Sequence, residues 1–156
     1  MKIAIGCDDA GESLLQVVEE LLRDQSGVDI INLSVVETDA VEHYPDVAER
    51  VALAVAEDSC ERGILVCGTG IGMAITACKV PGIRAALCHD TYSAERSRKS
   101  NNAQILTMGA RVIGPELAKS IVETWLVSEF DDRSPSAPKV RRMDEIDSKY
   151  LKPPGK

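Results

Sequence analysis

A doubly wound α/β domain is the fold class this chain predicts, and three observations predict it. Short apolar runs of strand type recur five times, each is followed by a segment with helical spacing, and glycines or acidic residues mark several of the junctions. Parallel strands need crossover connections, and the intervening helices supply them. Five such units imply a five-stranded parallel sheet with helices covering both faces.

The elements follow in order. KIAIGC, Lys2 to Cys7, alternates Ile on one side and reads as the first strand. In the next stretch, DDAGESLLQVVEELLRDQ, Leu14, Leu15, Val18, Leu21 and Leu22 fall on one helical stripe. VDIINL, Val28 to Leu33, is the second strand, and Pro45 opens a helix that reaches about Glu57. Proline suits the first helical position because the N–H it lacks would have no intrahelical partner there. RGILVC, Arg62 to Cys67, is a third strand feeding a helix from about Gly70. IRAALC, Ile83 to Cys88, leads to a helix from about Thr91; AQILTMG, Ala103 to Gly109, leads to one from Pro115 to about Ser128. Beyond Phe130 the texture changes to DDRSPSAPKVRRMDEIDSKYLKPPGK, a linker with Pro and Ser, a short charged helix near Val140 to Tyr150, and a frayed end. The chain therefore divides into a domain over 1–130 and a C-terminal arm over 131–156.

Composition narrows the partners. The 156 residues make one domain of ordinary size, and 44% hydrophobic with 28% charged residues is the balance of a soluble globular protein. A net charge of −7 argues against nucleic acid or an anionic membrane surface, since a polyanion must be met by clustered Lys and Arg. No apolar run approaches the roughly 18 residues that span a bilayer, and no secretory leader is expected. Cys7, Cys60, Cys67, Cys78 and Cys88 are odd in number and contain no C-x-x-C pair. Neither a disulfide framework nor a zinc ribbon is indicated, and a reducing cytoplasmic setting fits.

In doubly wound sheets ligands bind beyond the carboxyl ends of the strands, where Asp8, Cys67 and Asp90 stand. The stretch LVCGTGIGMA is the most informative junction. Gly68, Gly70 and Gly72 remove side chains where strand turns to helix, so backbone N–H groups can approach an anion. A dinucleotide fingerprint fits less well, because its third glycine position is Met73 and the loop follows the third strand rather than the first. A helix N-terminus favours the thiolate of a cysteine placed beside it, whereas free cysteines in general are buried spacers. Spacing alone leaves Cys67 between those two roles.

GCDDAG (Gly6 to Gly11), YPDVA (Tyr44 to Ala48), GILVCGTGIGMAI (Gly63 to Ile75), KVPGIRAALCHDTYSAERSR (Lys79 to Arg98) and GARVIG (Gly109 to Gly114) resemble the type B ribose-5-phosphate and galactose-6-phosphate isomerases. The likeness runs from Met1 to about Phe130, with a weaker echo beyond. It implies a Rossmann-like three-layer fold, a homodimer or tetramer with sites between subunits, and aldose–ketose isomerisation of a phosphosugar without metal or cofactor. By that resemblance Cys67 is the base that moves a proton between C1 and C2, a role that needs a positioned group near the reacting carbon. Thr69 and the N–H groups of Gly68, Gly70, Ile71 and Gly72 would then stabilise the enediolate oxygen as its charge develops. Asp8, Tyr44 and Asn101 match positions that hold sugar hydroxyls. Arg111 matches a phosphate ligand, and Arg133, with Lys139 or Arg141, matches basic residues that reach the phosphate from a partner subunit.

Two departures from that pattern bear on substrate. Asp8-Asp9 stands where the family usually has Asp-His, and SRKSN, Ser97 to Asn101, stands where it has S-R-x-H-N. The second missing histidine is the family's ring-opening group, and Ser100 is a weak replacement for it. His43 and His89 are the only histidines, and His89, at a strand's carboxyl end, is the alternative shuttle. Asp9 puts a carboxylate near the expected phosphate. A branch of the family tied to erythritol breakdown is similar in having serine followed by Asn-Asn, as in Ser100, Asn101 and Asn102. The expectation is therefore interconversion of erythrose 4-phosphate and erythrulose 4-phosphate. A ribose 5-phosphate isomerase and a phosphosugar binder without turnover are the alternatives.

Overall fold

The computed structural model describes residues 1–35 and 41–150. Five strands, β1 (Lys2–Cys7), β2 (Asp29–Asn32), β3 (Arg62–Cys67), β4 (Ala85–Leu87) and β5 (Ile105–Gly109), pair in parallel in the order β2-β1-β3-β5-β4. Among the described residues six helices accompany them: α1 (Glu12–Arg23), α2 (Tyr44–Ala56), α3 (Ile71–Ala77), α4 (Thr91–Asn101), α5 (Pro115–Leu126) and α6 (Ala137–Tyr150).

Side chains alternate across each strand, and the two faces build two cores. Ile3, Ile5, Ile64, Val66, Leu106 and Met108 pack with Leu15 and Val18 of α1 and Ile121 and Trp125 of α5. Ala4, Leu65, Cys67 and Ile105 pack on the other face with Val47 and Val51 of α2 and Met73 of α3. A sheet covered on both faces needs strands apolar on both sides, which is why β1, β3 and β5 read as near-continuous apolar runs. The result is the expected Rossmann-like three-layer α/β/α architecture.

Sheet order positions the site. From β1 the chain steps outward to β2, then crosses back to β3 on the other side of β1. This reversal between β1 and β3 opens a crevice beyond their carboxyl ends, just past Cys7 and Cys67.

The strands β2, β4 and β5 are shorter than their expected spans, and α6 starts earlier than its own. β4 is only Ala85–Leu87, although Arg84 O still accepts from Ile105 N–H and Cys88 N–H donates to Thr107 O at its ends. α3 is seven residues long. α6 starts at Ala137, earlier than the charge pattern indicates, because Ser134 O and Ser136 O accept the N–H groups of Ala137 and of Lys139 and Val140. The arm lies against the body: Ala137 and Val140 are buried, α6 packs on α4, and Arg84 pairs with Asp144 at 2.5 Å.

Candidate active site

The crevice is a cleft of about 1020 Å³ whose wall includes Cys7, Asp8, Asp9, Glu12, His43, Tyr44 and Arg111. Asp8 and Asp9 stand there because β1 ends at Cys7 and the chain turns directly into α1. Asp8 holds that turn, its Oδ1 accepting the Gly11 N–H at 3.1 Å. Gly11 is required at the corner, since a Cβ there would lie 2.4 Å from Val66 O. One Asp8 oxygen is thereby committed to the loop and the other is free of it.

At the end of β3, Cys67 is 5% exposed and its Sγ accepts the Gly70 N–H at 3.1 Å. Gly70 has φ +75°, a left-handed conformation that opens α3 and aims this N–H back at the sulfur. Its Cβ would lie 2.8 Å from Met108 C, and Thr107 Oγ1 donates to Gly70 O at 3.0 Å, so β5 locks the loop from beneath. The N–H groups of Gly72 and Met73 fall in the first turn of α3, where a helix provides no partner. Thr69 is exposed and its Oγ1 accepts from Ile71 N–H at 3.4 Å.

Two contacts tie the buried sulfur's loop to the cleft. The Arg111 guanidinium lies over Gly68, 3.4 Å from where a Cβ would stand, and Arg111 N–H donates to Gly68 O at 3.0 Å. The Tyr44 ring packs against Gly72, where a Cβ would be 2.4 Å from the ring edge. Tyr44 opens α2, with His43 at its N-cap and Pro45 in its first turn. The structure therefore gathers Asp8, Asp9, Tyr44, Cys67, the Gly68–Gly72 loop with Thr69 and Ile71, and Arg111 around one strand edge. Arg111 is the only Lys or Arg among the described residues that line the cleft. His43 on that wall escaped the motif reading, and its adjacency to Tyr44 was the available signal.

Ser100 and Asn101 are not brought to Cys67. α4 starts beyond the carboxyl end of β4 and runs back, so its eleven residues carry its end roughly 16 Å toward the amino edge of the sheet. There the Asn101 carbonyl accepts from the side chain of Arg84, the residue preceding β4, at 3.1 Å. Within the chain these two residues therefore stand toward the opposite edge of the sheet from Cys67. Arg133, 91% exposed, and the exposed Lys139 and Arg141 belong to the C-terminal segment and do not line the cleft. α6, which carries Lys139 and Arg141, lies beside α4.

The ring-opening candidates are both engaged. Ser100 Oγ accepts from Arg96 through Nε at 2.9 Å and through Nη2, which fills its acceptor positions and leaves it a donor only. Arg96, four residues ahead of Ser100 on the helix that starts at Thr91, was not singled out from sequence, although that spacing places the two on one face. His89 Nε2 accepts the Gly109 N–H at 3.0 Å, which puts its proton on Nδ1, and burial lowers its pKa despite the opposing effect of Asp90. Among the described residues no cluster of His, Cys, Asp or Glu has the geometry to hold a metal ion.

Comparison with known proteins follows the same lines. The sequence model described as ribose/galactose isomerase matches residues 3–146. The chain is 54% identical over 149 residues to Ribose-5-P isomerase B of Listeria innocua, covering 96% of this chain and 99% of that one. It is 52% identical over 143 residues to D-erythrulose-4-phosphate isomerase of Pectobacterium atrosepticum, covering 92% and 93%. Among solved structures, ribose-5-phosphate isomerase B of Clostridium thermocellum superposes with a TM-score of 0.87 at 44% identity, over 96% of this chain and 99% of that chain.

Proposed function

The chain belongs to the ribose/galactose isomerase family, and from that premise we propose that it interconverts erythrose 4-phosphate and erythrulose 4-phosphate at a site shared by two copies of the chain. It is a sugar-phosphate aldose–ketose isomerase. Cys67, as thiolate, removes the proton from C2 of the aldose and returns it to C1, while the hydroxyl proton moves from O2 to O1. Between those steps the enediolate oxygens bear negative charge, which the N–H groups of Gly68 and Gly72 with the Thr69 hydroxyl would meet; the Gly70 N–H is already given to Cys67 Sγ and the Ile71 N–H to Thr69 Oγ1. Asp8 and Tyr44 hold hydroxyls, and Arg111 takes the phosphate. Ser100 and Asn101, and the basic residues Arg133, Lys139 and Arg141, are assigned to the partner's site, since none of them lines this chain's own cleft.

The observation that carries the tetrose reading is that the two ring-opening candidates, Ser100 and His89, are both engaged within the chain. Ser100 has its acceptor positions filled by Arg96, and His89 has its basic nitrogen on Gly109. An aldopentose 5-phosphate closes a furanose through its free O4 and must be opened before proton transfer. A tetrose 4-phosphate has its O4 phosphorylated, stays acyclic or hydrated, and needs no such group. The Pectobacterium relative, named for erythrulose 4-phosphate, supports this reading; the Listeria relative, named for ribose 5-phosphate, favours the pentose. Comparing kcat/KM for the two sugars on the wild type and on Ser100→His decides between them. The tetrose is expected to win on the wild type, and the histidine to raise pentose turnover selectively. A clear wild-type preference for ribose 5-phosphate sinks the tetrose assignment, and no turnover of either sugar makes the chain a binder.

A further inference from the structure

From the middle of α4, Arg96 reaches toward the end of the helix and is held by three side-chain hydrogen bonds. Its Nε donates to Ser100 Oγ at 2.9 Å and its Nη2 donates to the same oxygen; Nη1 donates to Glu95 Oε1 at 3.3 Å. Asn101 Nδ2 donates to the Arg96 carbonyl at 3.0 Å, which ties the three polar residues into one unit. Arg98, two residues on, turns to the other side of the helix and is buried against Ala103 O at 2.8 Å, so Arg96 is the guanidinium this end of the helix presents.

We propose that Arg96 is a specificity-determining residue, its guanidinium fixed on Ser100 so that the pair binds the phosphate on O4 of a tetrose phosphate in the partner subunit's site. This rests on the tetrose reading above. The atom that closes the ring of an aldopentose 5-phosphate is O4, so a group placed to open that ring addresses O4. In a tetrose 4-phosphate the same atom carries the phosphoryl group. A proton shuttle has no use there, whereas a cation and hydrogen-bond donors do. Ser100, its lone pairs filled, offers only its O–H. Of the five guanidinium N–H groups, Ser100 and Glu95 occupy three, leaving two for a phosphate oxygen. Lys99 shares Glu95, its Nζ 3.2 Å from that carboxylate, so two cations face one anion and the cluster is net positive. The Arg96 side chain is 38% exposed and can meet a ligand carried by another copy.

An ordinary helix-surface pair would have the same spacing, and the experiment separates the two roles. Arg96→Met and Arg96→Lys are made in the full chain, and KM and kcat for erythrose 4-phosphate, inhibition by inorganic phosphate, and Tm are measured. Arg96→Met is expected to raise KM about tenfold or more and to weaken phosphate inhibition by a similar factor, the usual loss for a charge-assisted contact, while kcat changes much less. Arg96→Lys should recover part of the KM, since it keeps the charge without the planar hold on Ser100. A drop in Tm with KM and phosphate inhibition unchanged assigns Arg96 to helix stability and overturns the proposal. If the wild type prefers erythrose 4-phosphate and Arg96→Met still does not alter KM, only this inference fails; if the wild type prefers ribose 5-phosphate, the tetrose reading fails and takes this one with it.

Discussion

Cys7 and Cys67 end neighbouring strands yet face opposite ways. Cys7 is in register with Val66, so it shares that residue's face and packs with α1, while Cys67, one step further along β3, points to the face covered by α2 and α3. Their side chains cannot meet, which removes a disulfide between them from consideration. Burial raises the Cys7 and Cys88 thiols, the latter to about 11, which makes them poor nucleophiles at neutral pH. His89 yields a prediction at this scale. Its folded pKa lies below the ordinary value of 6.5 because burial disfavours the imidazolium. Between the two values the unfolded chain binds more protons, so its contribution to stability is complete above 6.5 and is lost as pH falls through 6.5 to the folded value. Thermal melts from pH 8 down to about 5 should show this loss in the wild type and not in His89→Gln, whose amide oxygen can accept the Gly109 N–H without titrating. Equal pH dependence in both proteins would contradict it.

Helix ends and strand ends decide most of the remaining polar contacts. Arg62, at the buried start of β3, donates to Trp125 O at 2.9 Å, Leu126 O at 3.1 Å and Ser128 O at 3.1 Å, which are carbonyls at and just beyond the end of α5. Its guanidinium also lies 5.1 Å from the centre of the Trp125 ring, and it shares Glu129 with the buried Arg98, whose pKa burial and the neighbouring Arg62 push down to about 10. A helix leaves its last carbonyls unpaired, and here a side chain from the sheet satisfies them. Arg62→Met keeps the apolar stem but strips those carbonyls of their donor in a place water reaches poorly. The expected cost is roughly 3 kcal/mol of stability, read from urea unfolding midpoints. A change within about 0.5 kcal/mol, the range of ordinary surface substitutions, would show that the carbonyls find water instead.

For the whole molecule, the separation of Cys67 from Ser100, Asn101 and the arm is the central feature. The chain holds Cys67 and its loop at the carboxyl edge of the sheet, Ser100 and Asn101 at the far end of α4, and Arg133, Lys139 and Arg141 on the C-terminal segment. Cys67→Ala is expected to lose about 100-fold or more of activity, the scale of a general base, and Arg133→Ala to lose phosphate affinity. Mixed after subunit exchange, the two variants should recover activity, because a heterodimer contains one site with neither substitution. If exchange is verified by mass and activity stays at the level of the separate variants, the site is built within one chain and the shared-site reading is wrong.

The strand–helix alternation, the spans of β1 and β3, the site loop and the acidic turn after Cys7 were legible in the sequence because each rests on local properties: apolar period, glycine spacing, a proline at a helix start. Cys67, Gly68, Thr69, Gly70 and Gly72 are contiguous, so a motif could hold them together. What the sequence left open depended on the order β2-β1-β3-β5-β4, which sets distances between residues far apart in the chain. That order, with the return of α4 along β4, put Asn101 beside Arg84 rather than beside Cys67, and seated His89 on Gly109 across the β4–β5 pair. It also brought the start of β3 under the end of α5, where Arg62 became a cap. Local chemistry wrote the elements and the glycine loop; which polar groups are left free was decided by hydrogen bonds that form only once the sheet is assembled.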